Sequence, residues 1–219
     1  MKFLVVLFGL LAVSSAEFCY NDVVRSCKQK AAVLLEDCHA KYGAIDAVLL
    51  NLQSYVNDHI SLSFDYLLTS THFGNHEKSR EGFEKLFRKL SDSTWNDAID
   101  LIQYITKRGG VMDFQARKTK AEPRNVYELY EIEALARGLD TQKTLAKSAL
   151  AIHSEATRRC EGCHDPEVSS YLEEKFMHRQ AEEVRKLAGY TSDLKRLLSE
   201  NNQASLSLFL FDEYLQKAV

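Results

Sequence analysis

Cys160-x-x-Cys163-His164, inside the stretch RRCEGCHDPE at residues 158–167, is the densest cluster of reactive side chains in the chain. Two thiols at this spacing followed by an imidazole suit four chemistries: covalent attachment of haem, half of a zinc site, a redox dithiol, or a disulfide cross-link in a turn. The only Glu-x-x-His pairs in the chain are Glu36–His39 and Glu161–His164, and neither falls in the middle of a helical stripe. A quieter set consists of single polar residues inside otherwise apolar helical stripes: His59, Thr94, Gln142 and Gln180. Isolated polar groups in a core are usually satisfied by one another, so these read first as a hydrogen-bonded layer.

The compartment narrows the cysteine chemistry. Met1-Lys2 is a short basic start, Phe3 to Val13 is an apolar run of 11, and Ser14-Ser15-Ala16 offers small residues to a signal peptidase. That is the layout of a signal peptide spanning residues 1–16 and cleaved before Glu17, which predicts a chain that is secreted or held in the secretory-pathway lumen. The run is shorter than the roughly 20 apolar residues a membrane span needs, so no membrane partner is expected. The chain has 28 Lys and Arg against 31 Asp and Glu, and removing Lys2 with the leader makes the mature charge about −4, which argues against a nucleic-acid partner. Cys19, Cys27, Cys38, Cys160 and Cys163 all lie in the mature part; in an oxidising compartment cysteines pair, and five leaves one free or bonded to another chain.

Long helices must carry these residues. With only two prolines and nine glycines in the chain, breakers are scarce, and apolar residues recur with the helical period in four stripes. The first runs from Ile45 to Leu67 and contains His59 and Tyr66; the second, from Phe83 to Ile105, contains Thr94. The third, from Leu129 to His153, contains Gln142, and the fourth, from Leu172 to Leu198, contains Gln180. Gly109-Gly110 ends the second helix, and residues 111–126, with Pro123, read as a long connection. Asp165-Pro166-Glu167 opens the fourth: Asp caps free amides, Pro fits the first helical position, and Glu suits the positive helix end. A short apolar helix follows the polar break SENNQ, from about Ala204 to Gln216. The expected layout is a cysteine-containing extension at 17–42, a bundle at 43–198 and a fifth helix within 203–219. A long link between the second and third helices implies an up-down-down-up bundle, because such a link can traverse the bundle's length. That path brings the start of the first helix and the turn before the fourth to one end.

The order of these segments resembles ferritin. YITKRGGVMDFQ (104–115) is similar to the ferritin segment that ends the second helix, KLAGYTSDLKRL (186–197) to the back half of its fourth, and SLFLFDEYLQ (207–216) to its fifth. The resemblance covers residues 43–217 with small insertions in the crossover and around Cys160–Cys163, and the leader and cysteine-bearing extension narrow it to the secreted ferritins of insects, light-chain type. It implies an all-α, ferritin-like bundle that assembles with itself into a 24-subunit shell storing iron as ferric mineral.

The resemblance also assigns positions. Heavy-type ferritin subunits oxidise ferrous iron with a Glu on the first helix, Glu-x-x-His on the second, a Glu on the third and a Gln on the fourth, with a nearby Tyr. Here the first-helix Glu position is His59, the Glu-x-x-His position is Thr94-x-x-Asp97 and the third-helix Glu position is Gln142, while the Tyr and Gln remain as Tyr66 and Gln180. One carboxylate and one imidazole cannot supply the bridging ligands two irons need, so no ferroxidase activity and no bound dinuclear centre are expected. The acidic patch that light chains carry on the second helix corresponds to Lys85, Arg88, Lys89, Asp92, Ser93 and Asn96, only one of them acidic. The threefold-channel acids correspond to Ser170 and Glu173, and fourfold packing to Leu206, Leu210 and Tyr214. A subunit without an oxidation centre implies a heavy-type ferritin partner, joined through an interchain disulfide for which Cys19 or Cys27 is the candidate.

Two rival readings share features of the sequence. An active diiron bundle would share the architecture but lacks its carboxylates here, and a secreted four-helix signalling protein would share the leader, cysteines and crossover without predicting the fifth helix. For Cys160-x-x-Cys163, the secretory route disfavours haem attachment, zinc would need two further soft ligands, and a catalytic dithiol belongs beside a strand. The motif is expected to be a cross-link in an inserted turn.

Overall fold

Apolar side chains returning every three or four residues make the rods, and glycine or a capping carboxylate ends or begins them. The computed structural model describes residues 38–114, 130–158, 164–200 and 203–219, together with Tyr20 and Val23. The chain divides into two compact units, Met1–Ala40 and Lys41–Val219. In the first, Cys38 is disulfide-bonded. The leader, Cys19, Cys27, Cys160, Cys163 and most of the expected crossover lie outside the described residues.

The second unit holds α1 (Ile45–Phe73), α2 (Glu81–Lys107), α3 (Glu131–Ala156), α4 (Pro166–Leu172), a π-helical turn (Glu173–Met177), α5 (His178–Glu200) and α6 (Ala204–Ala218). The π-turn joins α4 to α5 without a break, so these three make the fourth rod of an up-down-down-up ferritin-like bundle. α1 packs along α2 and α3 along α5, while α6 packs against α2 and α5. The core between them includes Leu52, Val56, Phe73, Phe83, Phe87, Leu101, Leu135, Phe176 and Leu194, all buried.

The ends are set by local chemistry. Gly109 takes φ +77°, and the Gly109 and Gly110 amides donate to the Thr106 and Ile105 carbonyls at 3.0 and 2.9 Å, closing α2 with a left-handed residue. Asp165 caps α4, accepting from the Val168 amide at 3.1 Å. Its other oxygen accepts from the Ala44 amide at 3.1 Å, which ties the start of α1 to the start of α4. Arg108, 1% exposed, completes this knot. It donates to Asp165 Oδ2 at 2.8 Å and to the Tyr42 carbonyl at 2.9 Å, and it pairs with Glu167.

α6 is held by a cap that it supplies to another helix. Asp212 Oδ1 accepts from the Gly82 and Phe83 amides, at 2.9 and 3.1 Å, at the start of α2. Ser207, Phe211 and Leu215 of α6 are buried, whereas Leu206, Leu210 and Tyr214 are 50, 55 and 51% exposed. The apolar stripe picked out in the sequence is therefore only half covered by its own bundle, Tyr214 resting edge-on against Tyr190.

Candidate functional site

Midway along the bundle, α1, α2, α3 and α5 each aim polar side chains inward. His59 is completely buried, and its Nδ1 lies 2.8 Å from the Tyr55 carbonyl. A carbonyl only accepts, so Nδ1 carries the proton and Nε2 presents a lone pair, which has no partner among the described residues. Burial lowers the pKa of this imidazole to about 4, so it is neutral at physiological pH. Gln180 donates through Nε2 to the Tyr55 hydroxyl at 2.5 Å, and its Oε1 has no partner among the described residues. Gln142 donates to the Tyr66 hydroxyl at 3.3 Å, and Tyr66 lies 2.9 Å from the Thr141 hydroxyl. Burial pushes the Tyr66 phenol up to about 12. Thr94 returns its hydroxyl proton to the Leu90 carbonyl at 2.7 Å, as an isolated helical threonine can.

Asp97 is the one carboxylate among these positions, and the Arg179 guanidinium is paired with it. Burial raises the Asp97 pKa while Arg179 opposes that rise. Thr94, Asp97, Gln142, Arg179, Gln180 and Glu183 line a cavity of about 20 Å³, room for a single water. The structure thus brings Thr94, Asp97, Gln142 and Gln180 to one small space, holds His59 beside Tyr55 and Phe176, and puts Tyr66 with Gln142. Two cations bridged by carboxylates fit this donor set poorly, because each of its two carboxylates already faces a cation of the protein, Asp97 with Arg179 and Glu183 with Lys186. Among the described residues, no three His, Cys, Asp or Glu side chains converge as metal ligands.

Tyr55 and Arg179 were not singled out by sequence reasoning. Tyr55 adjoins the first stripe, where an aromatic reads as core. Arg179 follows the π-turn, whose altered register is invisible to a regular helical period.

The remaining candidates lie on the surface. Glu173 opens the π-turn, with Oε1 2.6 Å from His153 Nε2, and Ser170 is exposed one turn earlier. Lys85, Arg88, Lys89, Asp92, Ser93 and Asn96 line a groove of about 810 Å³ beside Val219. Within it Arg88 pairs with Asp92 at 3.2 Å, and Lys89 donates to the Val219 carbonyl at 2.9 Å. No helix among the described residues is long and apolar enough to cross a membrane.

Four rods, an inward polar layer at mid-length and an appended helix define a ferritin-like domain, and the model of that domain matches residues 49–197. Over 231 aligned residues that take in the whole of both chains, the sequence is 46% identical to the ferritin light chain of Trichoplusia ni. It is 42% identical to that of Drosophila melanogaster, with 99% of this chain and 100% of the relative covered. The crystal structure of Trichoplusia ni secreted ferritin superposes with a TM-score of 0.84 at 46% identity, covering 92% of this chain and 99% of that one. The chain belongs to the ferritin family.

Proposed function

We propose that this chain is a light-type iron-storage subunit of a secreted, 24-subunit ferritin, and that it has no ferroxidase centre of its own. The observation that carries this reading is the Arg179–Asp97 pair, which puts a protein cation against the carboxylate of the Thr94-x-x-Asp97 position. Its relatives in Trichoplusia ni and Drosophila melanogaster bear the name ferritin light chain, and the similar solved structure is a secreted ferritin. The leader at residues 1–16 supports secretion. Ferrous iron is the substrate of the assembly and ferric mineral its stored product; oxidation falls to a heavy-type partner subunit, joined by a disulfide from Cys19 or Cys27. Glu173 belongs to the threefold channel, and Leu206, Leu210 and Tyr214 pack at the fourfold axis. Their half-exposure on α6 supports an intersubunit role.

The test is purification of the native particle, with its mass, iron content and subunit composition measured, followed by ferrous oxidation assays on this chain alone and with its partner. A large shell containing both chains, with oxidation by this chain alone no faster than background, is the expected result. Rapid, saturable oxidation by this chain alone that is abolished in His59→Ala would refute it. A monomer or dimer would favour a signalling protein instead.

A further inference from the structure

Near the Arg108 knot, the rings of Tyr104 and Tyr171 stack with centroids 3.8 Å apart and planes 4° apart. Aromatic pairs ordinarily prefer offset or edge-on arrangements with centroids about 4.5–7 Å apart, so this close, parallel packing requires an account. The Tyr104 hydroxyl donates to the Glu167 carboxylate and accepts from Arg108 Nη1 at 3.1 Å. Tyr55 and Tyr66, by contrast, bond to amide, hydroxyl and carbonyl groups, none of which readily takes a proton.

A phenol joined to a carboxylate and stacked on a second phenol is arranged for one-electron oxidation. Removing an electron from a phenol makes its proton strongly acidic, and a carboxylate within hydrogen-bond reach can receive it as the electron leaves. Arg108, held by Asp165 and Glu167, fixes a positive charge beside the phenol oxygen. That charge disfavours a radical cation and so couples electron loss to proton loss. Burial, reinforced by Glu167, raises the Tyr104 pKa, so the phenol stays protonated until it is oxidised.

We propose that Tyr104 and Tyr171 form a redox site that intercepts hydroxyl radical generated from ferrous iron and peroxide. The proposal rests on the iron-storage reading. In the step, the Tyr104 O–H bond breaks: the electron reduces hydroxyl radical to hydroxide, the proton passes to Glu167, and a neutral tyrosyl radical remains on the stacked pair. One ferrous ion then returns an electron and becomes ferric, Glu167 returns the proton, and the site is reset. The net change is one ferrous ion oxidised and one hydroxyl radical removed. Tyr171 also leads inward, its ring 5.8 Å from Phe176, which in turn lies 5.8 Å from Tyr55.

The experiment uses the assembled, full-length mature protein in two arms. In one, ferrous iron and peroxide are added and the sample is freeze-quenched for electron paramagnetic resonance. In the other, iron-free protein is oxidised by azide radicals in pulse radiolysis. A tyrosyl signal is expected in both arms, with a long-lived component that is lost in Tyr104→Phe, strongly reduced in Glu167→Gln and shorter-lived in Tyr171→Leu, with Tyr190→Phe unchanged, above a short-lived background from exposed tyrosines such as Tyr42 and Tyr130. Tyr104→Phe keeps the ring, and native mass checks that its shell is intact. A long-lived component that survives Tyr104→Phe, or its absence from the native protein in the iron-free arm, overturns the proposal. Failure to store iron with the radiolysis pattern intact would overturn the storage reading and leave the redox site standing.

Discussion

Arg179 of α5 reaches across the bundle to the Asp97 carboxylate of α2, and the two ends of the pair differ in exposure: the Arg179 side chain is 42% exposed and that of Asp97 only 11%. Losing one partner therefore costs different amounts. In Asp97→Asn the arginine can turn to water, and the loss should stay under about 1 kcal/mol. In Arg179→Gln the buried carboxylate is stranded, and about 2 kcal/mol should be lost near neutral pH, less than for a fully buried pair because Arg179 is partly solvated. Without Arg179, burial and then the nearby Asp100 carboxylate govern Asp97 and raise its pKa further. A raised folded-state pKa gives stability that is present at low pH and lost as pH rises, so the Arg179→Gln deficit should shrink on acidification. Thermal unfolding of the two variants across pH measures this; equal deficits that do not vary with pH would contradict it.

His59 should make the protein acid-sensitive in a defined window. Its folded-state pKa is lowered by burial from 6.5 to about 4. A depressed pKa means that the unfolded chain binds the proton first. Stability is complete above pH 6.5 and declines as pH falls toward 4, by about 3 kcal/mol from this residue. Arg179 is the charged group whose field adds to the depression. In His59→Gln this part of the slope should vanish. Unfolding free energies of the two proteins between pH 4 and 6.5 provide the check, and parallel curves would exclude His59 as the cause.

These two residues also mark the limits of what the sequence discloses. The rods were legible because a helix pays for its burial with periodic apolar residues, and the start of α4 was legible because Asp165, Pro166 and Glu167 act on the backbone beside them. His59, Thr94 and Gln142 stood out as polar interruptions of apolar stripes. Arg179 did not, because its significance comes from Asp97, 82 positions away, and because the π-turn at Glu173–Met177 alters the register just before it. The Tyr104–Tyr171 stack was hidden for the same reason: each tyrosine alone reads as core, and only packing shows the pair.

Arg108 should tolerate little change. It is 1% exposed and serves Asp165, Glu167, Tyr104 and the Tyr42 carbonyl at once. Lysine keeps the charge but not the planar fork, so Arg108→Lys should cost about 2 kcal/mol, and Arg108→Met, which strands the buried Asp165, about 3–5 kcal/mol. Hydrogen exchange locates the damage: the Ala44 and Val168 amides, which both donate to Asp165, should lose protection together. Protection retained at both in Arg108→Met would show that Asp165 is held without the arginine.

Gly82 should be the residue on which the docking of α6 depends most sharply. A Cβ at this position would collide with the Asp212 carbonyl oxygen and meet the Leu215 Cβ at 2.9 Å. The first of these is backbone and cannot swing aside, so Gly82→Ala must push α6 away from α2. The shift would also stretch the bonds from the Gly82 and Phe83 amides to Asp212. Overpacking of this kind costs about 1–3 kcal/mol. Asp212→Asn leaves the space unchanged and replaces a charged cap with a neutral one, so its cost should be smaller, about 1 kcal/mol. Because α6 carries the half-exposed Leu206, Leu210 and Tyr214, which we propose pack at the fourfold axis, its displacement should lower the yield of the proposed shell more than it lowers the stability of the bundle. Native mass together with thermal unfolding separates the two effects; a Gly82→Ala protein that assembles fully would mean that α6 can leave its seat without disturbing contacts between subunits.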